Sequence, residues 1–591
     1  MAESENPLHL KYVTWSDISG AKTSAERLKE IASQLQTDRL ILAISLIATT
    51  LESGPSHYQD RAALHAQHSN LAENVCAPKV AKTVSNLLLT GRRDVFAHQT
   101  QLLLAVKLAI LFGQPGPLVP LSPEDSATLL DPLGELLLRI NDVLELAEAS
   151  GQTIQQLETR TALRQQAVDR NEQVRYLVGR YYDLLVTRAR SYAGPEPRLD
   201  LDAAFIEATN LTFDEYLVFS IVYLQPFQGV GNVQQLAESD WTNVLRQRQS
   251  LVVTDDKKNA GRRQFIQTKQ DLLSGVGTDP NKFSRPQFLP MQNRPLYELE
   301  DGSIVPISYN FLLSKFGMGI YWVLHTHYLK TGGPRGVDGF CTFIGALFQD
   351  YGTHLLTRTF EPSSTPLRRF YNEQEVIDAS EVGASIRPPF DGVIVEGNSL
   401  IIVEMTVAAI TARTMETADL LKYVEEIQRD GSLISKVRDR LARAVSEIAE
   451  GKWKIPDLNL STIHHVYPVV MLLHPYPQTR STWEPLWGAF EVDDWLALGD
   501  AGVLATQIHR PQIITVEEIE MLEPLLNPHT YTLAQLLGLK LSNPQTAVTS
   551  LKNLILIFLS LDPPANQNML ELSGIATERM KHAAGSVFTL T

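Results

Sequence analysis

Residues 390–406, with the sequence FDGVIVEGNSLIIVEMT, constrain the fold of this chain more than any other stretch. Two runs rich in β-branched residues flank Gly397 and Asn398, a dipeptide typical of two-residue hairpin turns. The pattern predicts two strands, over residues 389–396 and 399–406. If Gly397 and Asn398 form the turn, Asp391 lies directly opposite Glu404 on one face, with Cβ atoms about 5 Å apart.

Two carboxylates that face each other across a hairpin destabilise the sheet unless a cation lies between them. A hard divalent cation with oxygen ligands, Mg²⁺ or Mn²⁺, is the natural candidate. Because side chains alternate along a strand, Thr406 shares the face of Glu404, whereas Val403 and Met405 point the other way. The pattern therefore predicts a metal site at Asp391 and Glu404. In the alternative interpretation, an arginine or lysine from a neighbouring helix neutralises the two acids.

The composition is that of a large globular protein. The chain has 591 residues, enough for roughly three or four domains, and its 44% hydrophobic and 20% charged content is ordinary. The net charge of −15 argues against a protein whose whole surface binds nucleic acid, but it permits a local basic groove. Cys76 and Cys341 have no metal-ligand spacing and do not indicate a disulfide framework.

Helical patterns dominate outside the centre of the chain. Residues 37–52 and 123–151 follow helical spacing with capping residues at their ends, and residues 153–194 favour one or two charged surface helices. We expect a multidomain α/β protein in which mostly helical N-terminal and C-terminal regions surround a small mixed-sheet core. The predicted regions are a helical N-terminal domain (1–195), a mostly helical middle domain (196–335), the core (336–480) and a helical C-terminal region (481–591).

The order helix, strand, strand, helix, strand over residues 338–477 resembles the core of the PD-(D/E)XK nuclease superfamily. In that superfamily a hairpin carries an Asp followed by Glu-x-Lys, and here PPFDGVIVEG supplies Asp391 and LIIVEMT supplies Glu404. The helix FCTFIGALFQDYGTHLL is similar to the first helix of many bacterial members, which often show Gly-x-x-Phe-Glu-x-Tyr. The resemblance covers residues 335–480 and implies a restriction-endonuclease-like core.

Two of the four functional positions depart from that family pattern. Thr406 stands where the family has the lysine whose ammonium orients the attacking water and stabilises the reacting phosphate. Gln349 stands where the first helix has its glutamate, with Asp350 beside it. A lysine from the helix after the hairpin would compensate, and Lys436 is the best candidate, followed by Lys422.

The resemblance implies hydrolysis of phosphodiester bonds with the help of Mg²⁺ or Mn²⁺. The metal would be held by Asp391, Glu404 and the carbonyl at position 405, with Thr406, Lys436, Gln349 and Asp350 at the remaining candidate catalytic positions. A basic helix over 432–450 would line a groove for the nucleic-acid backbone. The basic residues in question are Arg429, Lys436, Arg438, Arg440 and Arg443.

The alternative that stays closest to this fold is a non-catalytic descendant that serves as a scaffold or binding module in a protein complex. A basic groove converging on Asp391 and Glu404 would favour the nuclease, whereas an arginine bridging both acids would favour the scaffold. A defence role against foreign DNA is an expectation by analogy with bacterial relatives alone.

A third hypothesis comes from the N-terminal region. The segment RRDVFAH holds Arg93, Asp94 and His98, which is similar to the Arg-x(4–6)-His motif of the helical HEPN ribonucleases. Those enzymes act on RNA across a dimer interface without a metal, so this hypothesis needs Arg93 and His98 at a symmetric helical interface. The other interpretation is a surface arginine and a histidine at a helix end.

The sequence also predicts a cytoplasmic protein with no membrane segment. The longest apolar run, residues 102–113, contains a lysine and is too short to span a bilayer. Residues 1–15 are acidic and polar and have no signal-peptide core.

Overall fold

The fold is described from a computed structural model of the chain. The described residues are 11–52, 61–116, 123–149, 174–195, 197–224, 255–276, 288–334, 336–361, 368–380, 386–407, 410–411, 414–415, 418–429, 431–477, 479–490, 507–526 and 530–587. These residues are mostly helical and contain two sheets, one of three strands and one of six. The predicted α/β class, with helices around a small mixed-sheet core, is confirmed.

The described residues of the N-terminal region form helices α1 to α8, apart from short connections. They are α1 (Trp15–Ser19), α2 (Ala25–Gln34), α3 (Thr37–Glu52), α4 (Arg61–Val75), α5 (Pro78–Leu89), α6 (Gln99–Phe112), α7 (Pro123–Ala149) and α8 (Val174–Tyr182), which continues through a π-helical stretch (Asp183–Arg188) into Ala189–Ser191. The helices predicted over 37–52 and 123–151 are confirmed as α3 and α7. Of the helices predicted over 153–194, the part up to residue 173 lies outside the described residues.

The middle region combines helices with a small three-stranded sheet. Its elements are α9 (Leu201–Thr209), α10 (Phe213–Leu224), α11 (Asp255–Phe265), β1 (Ile266–Gln267), α12 (Lys269–Val276), α13 (Leu289–Asn293), β2 (Leu296–Glu298), β3 (Ile304–Pro306), α14 (Tyr309–Ser314) and α15 (Met318–Thr331). Strand β2 runs parallel to β1 and antiparallel to β3.

The core places the predicted hairpin inside a larger sheet. Its elements are α16 (Gly336–Thr359), β4 (Arg368–Asn372), α17 (Glu373–Ala379), β5 (Gly392–Glu396), β6 (Ser399–Thr406), α18 (Leu420–Gln428), α19 (Leu433–Ser435, a π-helical segment Lys436–Ala442, and Arg443–Ala449), a 3₁₀ turn (Leu460–Thr462) and β7 (His465–Leu472). Strands β4, β5 and β6 are antiparallel neighbours, and β7 pairs in parallel with β6.

The C-terminal region differs from the prediction because it adds strands to the core sheet. Its elements are α20 (Arg480–Ala489), β8 (Gln507–Ile508), β9 (Gln512–Thr515), α21 (Val516–Leu526), α22 (Leu533–Leu541), α23 (Pro544–Ala547), α24 (Leu551–Asn553, then π-helical Leu554–Phe558) and α25 (Gln567–Val587). Strands β8 and β9 both pair in parallel with β7. Such short apolar runs cannot be distinguished from buried helix by periodicity, so the prediction of a mostly helical region did not include these strands.

The hairpin has the predicted turn and nearly the predicted register. Gly397 has φ +59°, a left-handed conformation that glycine adopts without strain. Gly392 pairs with Val403, as predicted. Asp391, however, lies just before β5, and its N–H donates to the same Val403 carbonyl at 2.9 Å. The predicted backbone pairing of Asp391 with Glu404 is therefore absent, because the last pair of the ladder is Gly392 with Val403.

Helix α16 lies directly against the sheet at a glycine. A Cβ atom at Gly352 would come within 2.5 Å of the Met405 sulfur and 2.6 Å of the Met471 methyl group. Because Gly352 has no side chain, α16 approaches β6 and β7 closely at this point. This close packing fixes the position of Gln349, which lies about one helical turn earlier, beside the hairpin.

A buried polar network joins α8, α16 and α21. The Arg180 guanidinium donates two hydrogen bonds to the Glu520 carboxylate, at 2.8 and 2.6 Å, and both side chains are fully buried. The Tyr351 hydroxyl donates to the same carboxylate at 2.7 Å. Helix α8, which belongs to the first 195 residues, is thereby fixed to the helix that carries Gln349.

Among the described helices, none has an apolar stretch long enough to cross a bilayer.

The packing of the hairpin on β4 makes Gly392 intolerant of a side chain. A Cβ atom there would lie 2.4 Å from the Phe370 ring and 2.9 Å from the Tyr371 carbonyl oxygen. We expect Gly392→Ala to lower the free energy of unfolding by about 1–3 kcal/mol, measured by urea denaturation. Gly345→Ala is the matched control, because it lies in α16 with open space around it and is expected to stabilise by about 0.5–1 kcal/mol. An unchanged stability of Gly392→Ala would contradict this packing.

Candidate metal centre

Asp391 is buried at the entry to β5, and both of its carboxylate oxygens accept hydrogen bonds. Oδ2 accepts the backbone N–H of Met405 at 2.6 Å. Oδ1 accepts the side-chain amide of Gln349, from α16, at 2.9 Å. These contacts fix the carboxylate beside the residue that follows Glu404, so the two acids come together although their backbones do not pair.

Glu404 lies on β6 with its side chain fully buried. Its Oε1 accepts a hydrogen bond from the Lys436 ammonium at 2.7 Å. Its Oε2 lies 2.9 Å from Nε of Arg440, but the angles are poor, and neither Oε2 nor Nε has a hydrogen-bond partner. Glu404 is thus neutralised by two cations, one through a directed hydrogen bond and one through charge alone.

Lys436 and Arg440 reach the acids from the same helical segment. They lie four residues apart in the π-helical part of α19, which places both on the side of the helix that faces the hairpin. Arg440 also lies 3.6 Å from Asp391 Oδ1, so its guanidinium bridges the two acids. The predicted substitute lysine, Lys436, therefore lies at the acid pair. The arginine bridge between the two acids, which was expected for a non-catalytic scaffold, is present as well.

Burial dominates the electrostatics of the acid pair. The pKa of Glu404 is raised to about 8, first by burial and then by the neighbouring charge of Asp391, while the charges of Lys436 and Arg440 oppose the shift. Burial also raises the pKa of Asp391, against the charge of Arg440 and the hydrogen bond from Met405. Burial thus favours the protonated form of both carboxyls, and the nearby positive charge opposes that tendency.

The first helix contributes Gln349 but not Asp350. Gln349 Nε2 lies between Asp391 and Glu373, at 2.9 and 3.4 Å from their nearest oxygens. Asp350 is exposed and forms an ion pair with Arg188, so the structure places it outside the site. Thr406, at the end of β6, is half-buried, and its carbonyl accepts the N–H of Leu473 at 3.3 Å.

The other predicted basic residues do not converge on the acids. Arg438 pairs with Asp439 at 2.7 Å, and both side chains are exposed. Arg443 is exposed and lies 3.6 Å from Glu447. Arg429 follows the last turn of α18 and is exposed, as is the second candidate lysine, Lys422, in its first turn. Of the basic residues expected to line a groove, Lys436 and Arg440 therefore lie at the acids, and the other three are exposed and lie apart from them.

The alternative site in the N-terminal region has structural partners. Arg93 forms an ion pair with Asp17 at 2.8 Å. His98 caps α6, its Nε2 lies 3.0 Å from Asn141 Oδ1, and its ring stacks on Tyr12 at 4.0 Å between centroids. Burial lowers the pKa of His98 to about 4, so the ring is neutral at physiological pH. These contacts give the ribonuclease hypothesis no support.

The donors at the acid pair suit a hard divalent cation. The Asp391 and Glu404 carboxylates are the oxygen ligands that Mg²⁺ prefers, and Glu404 Oε2 is a buried oxygen without a hydrogen bond. The Gln349 amide would offer its oxygen only after turning over, because its nitrogen now faces Asp391. In the described part of the chain, no three His, Cys, Asp or Glu side chains form a metal-binding group. A cation here would keep several water ligands, as Mg²⁺ commonly does.

Glu373, near the site, and its partner Arg387 had no place in the sequence-based prediction. Glu373, the first residue of α17, approaches Gln349 and also lies 3.2 Å from the exposed Arg387. The N–H of Glu373 donates to the Asp391 carbonyl at 3.1 Å. The only signal in the sequence is the capping pattern at Asn372 and Glu375, which locates the start of a helix but not its neighbours.

The Lys436–Glu404 contact gives a quantitative prediction when it is compared with Lys581–Glu578. The two pairs have nearly the same N···O distance, 2.7 and 2.6 Å, but side-chain exposures of 20% and 0% against 65% and 66%. Double-mutant cycles with Lys→Met and Glu→Gln, read from urea denaturation, should give a coupling of about 1–3 kcal/mol for the buried pair. The exposed pair should give a clearly smaller coupling, because solvent and salt screen it. Equal couplings would contradict the burial of Glu404.

Comparison with known proteins adds no assignment to this geometry. The chain matches no protein-family model, no curated protein and no solved structure. The interpretation of Asp391, Glu404, Lys436 and Arg440 therefore depends on the contacts described above.

Proposed function

We propose that this chain is a divalent-cation-dependent phosphodiesterase of the nuclease type, acting on nucleic acid. The observation that carries the proposal is the convergence of Asp391, just before β5, Glu404 on β6 and Lys436 on α19. Lys436 lies 2.7 Å from Glu404, and Asp391 is held beside Met405, the next residue along β6. The positive charge that Thr406 cannot provide would thus come from Lys436 on α19.

The order of elements supports a restriction-endonuclease-like core in the sense of the PD-(D/E)XK superfamily. Helix α16 precedes the hairpin of β5 and β6, and α19 leads into β7, which is parallel to β6. In this arrangement the acids lie where the pairing of β5 with β6 ends, with α16 on one side and α19 on the other. Superfamily membership itself is part of the proposal.

Each residue has a defined role in the proposed reaction. Asp391 and Glu404 would hold Mg²⁺ or Mn²⁺, which, when bound, would supply a Lewis acid and lower the pKa of a coordinated water. Lys436 would place its ammonium near the reacting phosphate, where it would offset the developing negative charge. Gln349 keeps Asp391 oriented through its amide.

The cost of the cluster argues for a function beyond stability. Two buried carboxylates and two partly buried cations lose hydration on folding, and a well-packed apolar cluster of similar volume is often equally or more stable. The π-helical segment that carries Lys436 and Arg440 is a further feature common at functional sites. The charges are therefore better explained by cation and phosphate chemistry than by packing.

A second candidate function is favoured by the Arg440 bridge. An arginine that contacts both acids neutralises them without a metal. In this case the nuclease-like core would serve as a binding or scaffold module, and its partner would be another protein.

Calorimetric titration of Mn²⁺, together with cleavage of plasmid DNA and of RNA, separates the two candidates. The variants are Asp391→Asn/Glu404→Gln, Lys436→Met and, as the matched control, Asp439→Asn, which removes an exposed carboxylate from α19. We expect wild type and control to bind Mn²⁺ and to cleave. The double variant should lose both properties, and Lys436→Met should bind but cleave at least about 100-fold more slowly.

Each alternative result has a defined meaning. Mn²⁺ binding to wild type without cleavage of either substrate would favour the scaffold. Absence of Mn²⁺ binding to wild type, in a protein that folds, would contradict the proposed metal site. Cleavage that survives in the double variant would place the chemistry elsewhere in the chain.

A further inference from the structure

The guanidinium of Arg440 occupies the position that a divalent cation would need. It lies 2.9 Å from Glu404 Oε2 and 3.6 Å from Asp391 Oδ1, between one oxygen of each acid. A cation that used both of these oxygens as ligands would have to lie in the same space. Arg440 and the divalent cation are therefore mutually exclusive occupants.

The contact between Arg440 and the acids lacks the geometry of a strong arginine–carboxylate pair. Although Nε of Arg440 and Oε2 of Glu404 are close, neither makes a hydrogen bond of good geometry. The pair therefore lacks the bidentate arrangement that makes arginine–carboxylate contacts strong. Lys436 differs, because it donates a directed hydrogen bond to the other oxygen of Glu404.

Arg440 also has a path away from the acids. Its side chain is 35% exposed, compared with 20% for Lys436 and 0% for Glu404. A long arginine side chain that keeps one edge in solvent can turn its head group outward while its stem stays packed. The displaced guanidinium would then face the solvent side of the site, where an anionic ligand arrives.

We propose that Arg440 is an internal competitor of the divalent cation, bound between Asp391 and Glu404 until the cation displaces it. The displaced guanidinium is then free to bind a phosphate of the nucleic-acid backbone. The proposal rests on the proposed function, because it assumes a cation site at these acids. Its consequence is reciprocal coupling: the cation increases the affinity for nucleic acid, and nucleic acid increases the affinity for the cation by the same factor.

The first test compares Mn²⁺ affinities by calorimetry in the full-length chain. Arg440→Gln removes the competitor, and Arg443→Gln is the matched control, because it removes the same charge from an exposed position three residues later. We expect Arg440→Gln to bind Mn²⁺ at least about tenfold more tightly than wild type, and Arg443→Gln to remain within about twofold. Circular dichroism shows whether each variant is folded.

Arg440→Lys separates geometry from charge. Lysine keeps the positive charge but cannot bridge two carboxylates with a planar fork. If the bridge is the competitor, this variant should bind Mn²⁺ more tightly than wild type and less tightly than Arg440→Gln. If Arg440→Lys behaves as wild type, a general charge effect replaces the proposed competition, and the proposal is overturned.

The second test measures coupling with nucleic acid. Binding of a fluorescent DNA oligonucleotide is followed by anisotropy with and without Ca²⁺, an oxygen-binding cation, and a gel afterwards shows that the oligonucleotide is intact. Wild type should bind the oligonucleotide several-fold more tightly with Ca²⁺, and Arg440→Gln should lose most of that increase. An equal increase in both proteins would overturn the proposed coupling.

The failure of this proposal is distinguishable from that of the proposed function. If wild type and Arg440→Gln bind Mn²⁺ equally well, the metal site stands and the competition is wrong. If Arg440→Gln binds and wild type does not, the cation does not displace Arg440 from the native site, and the proposed exchange is overturned. If neither protein binds, the metal site fails and the competition fails with it.

Discussion

Two carboxylates buried next to each other need positive charge within a few ångströms, and the centre of this protein is organised around that need. Asp391 and Glu404 come together where the ladder of β5 and β6 ends. Burial favours their protonated forms. The charge of Lys436 and Arg440 opposes that tendency, so helix α19 must direct these two side chains toward the sheet.

This requirement links the site to the packing around it. Helix α16 approaches the sheet closely at Gly352, and one turn earlier its Gln349 amide holds Asp391. The same helix is fixed to α8 and α21 through Tyr351 and the buried Arg180–Glu520 pair. A change in the position of α16 would therefore disturb both the core and the orientation of the first acid. The site depends on this scaffold as much as on its own four charges.

The sequence predicted what local patterns determine. Alternation and the turn dipeptide predicted the hairpin and its register. Lys436 was the first of two candidate lysines in the sequence, and the structure places it beside Glu404. Features that depend on tertiary contacts could not be predicted from local sequence patterns. The β5–β6 ladder includes Gly392 but not Asp391, the residue before it, whose N–H donates to the Val403 carbonyl. Arg440 was one of several basic residues on its helix, and only tertiary packing, including the π-helical segment, shows which of them reach the acids. Strands β8 and β9 are too short to be recognised without their partner β7.

The most direct measurement of this account is a crystal structure of the wild-type protein soaked in Mn²⁺, with anomalous diffraction recorded to locate the ion. The account predicts an anomalous peak between Asp391 and Glu404, with the Arg440 guanidinium turned away from both acids and Lys436 still beside Glu404. A structure without a peak at this place, in which Arg440 still bridges the two acids at saturating Mn²⁺, would contradict it. The acid pair would then be a permanently neutralised part of the core.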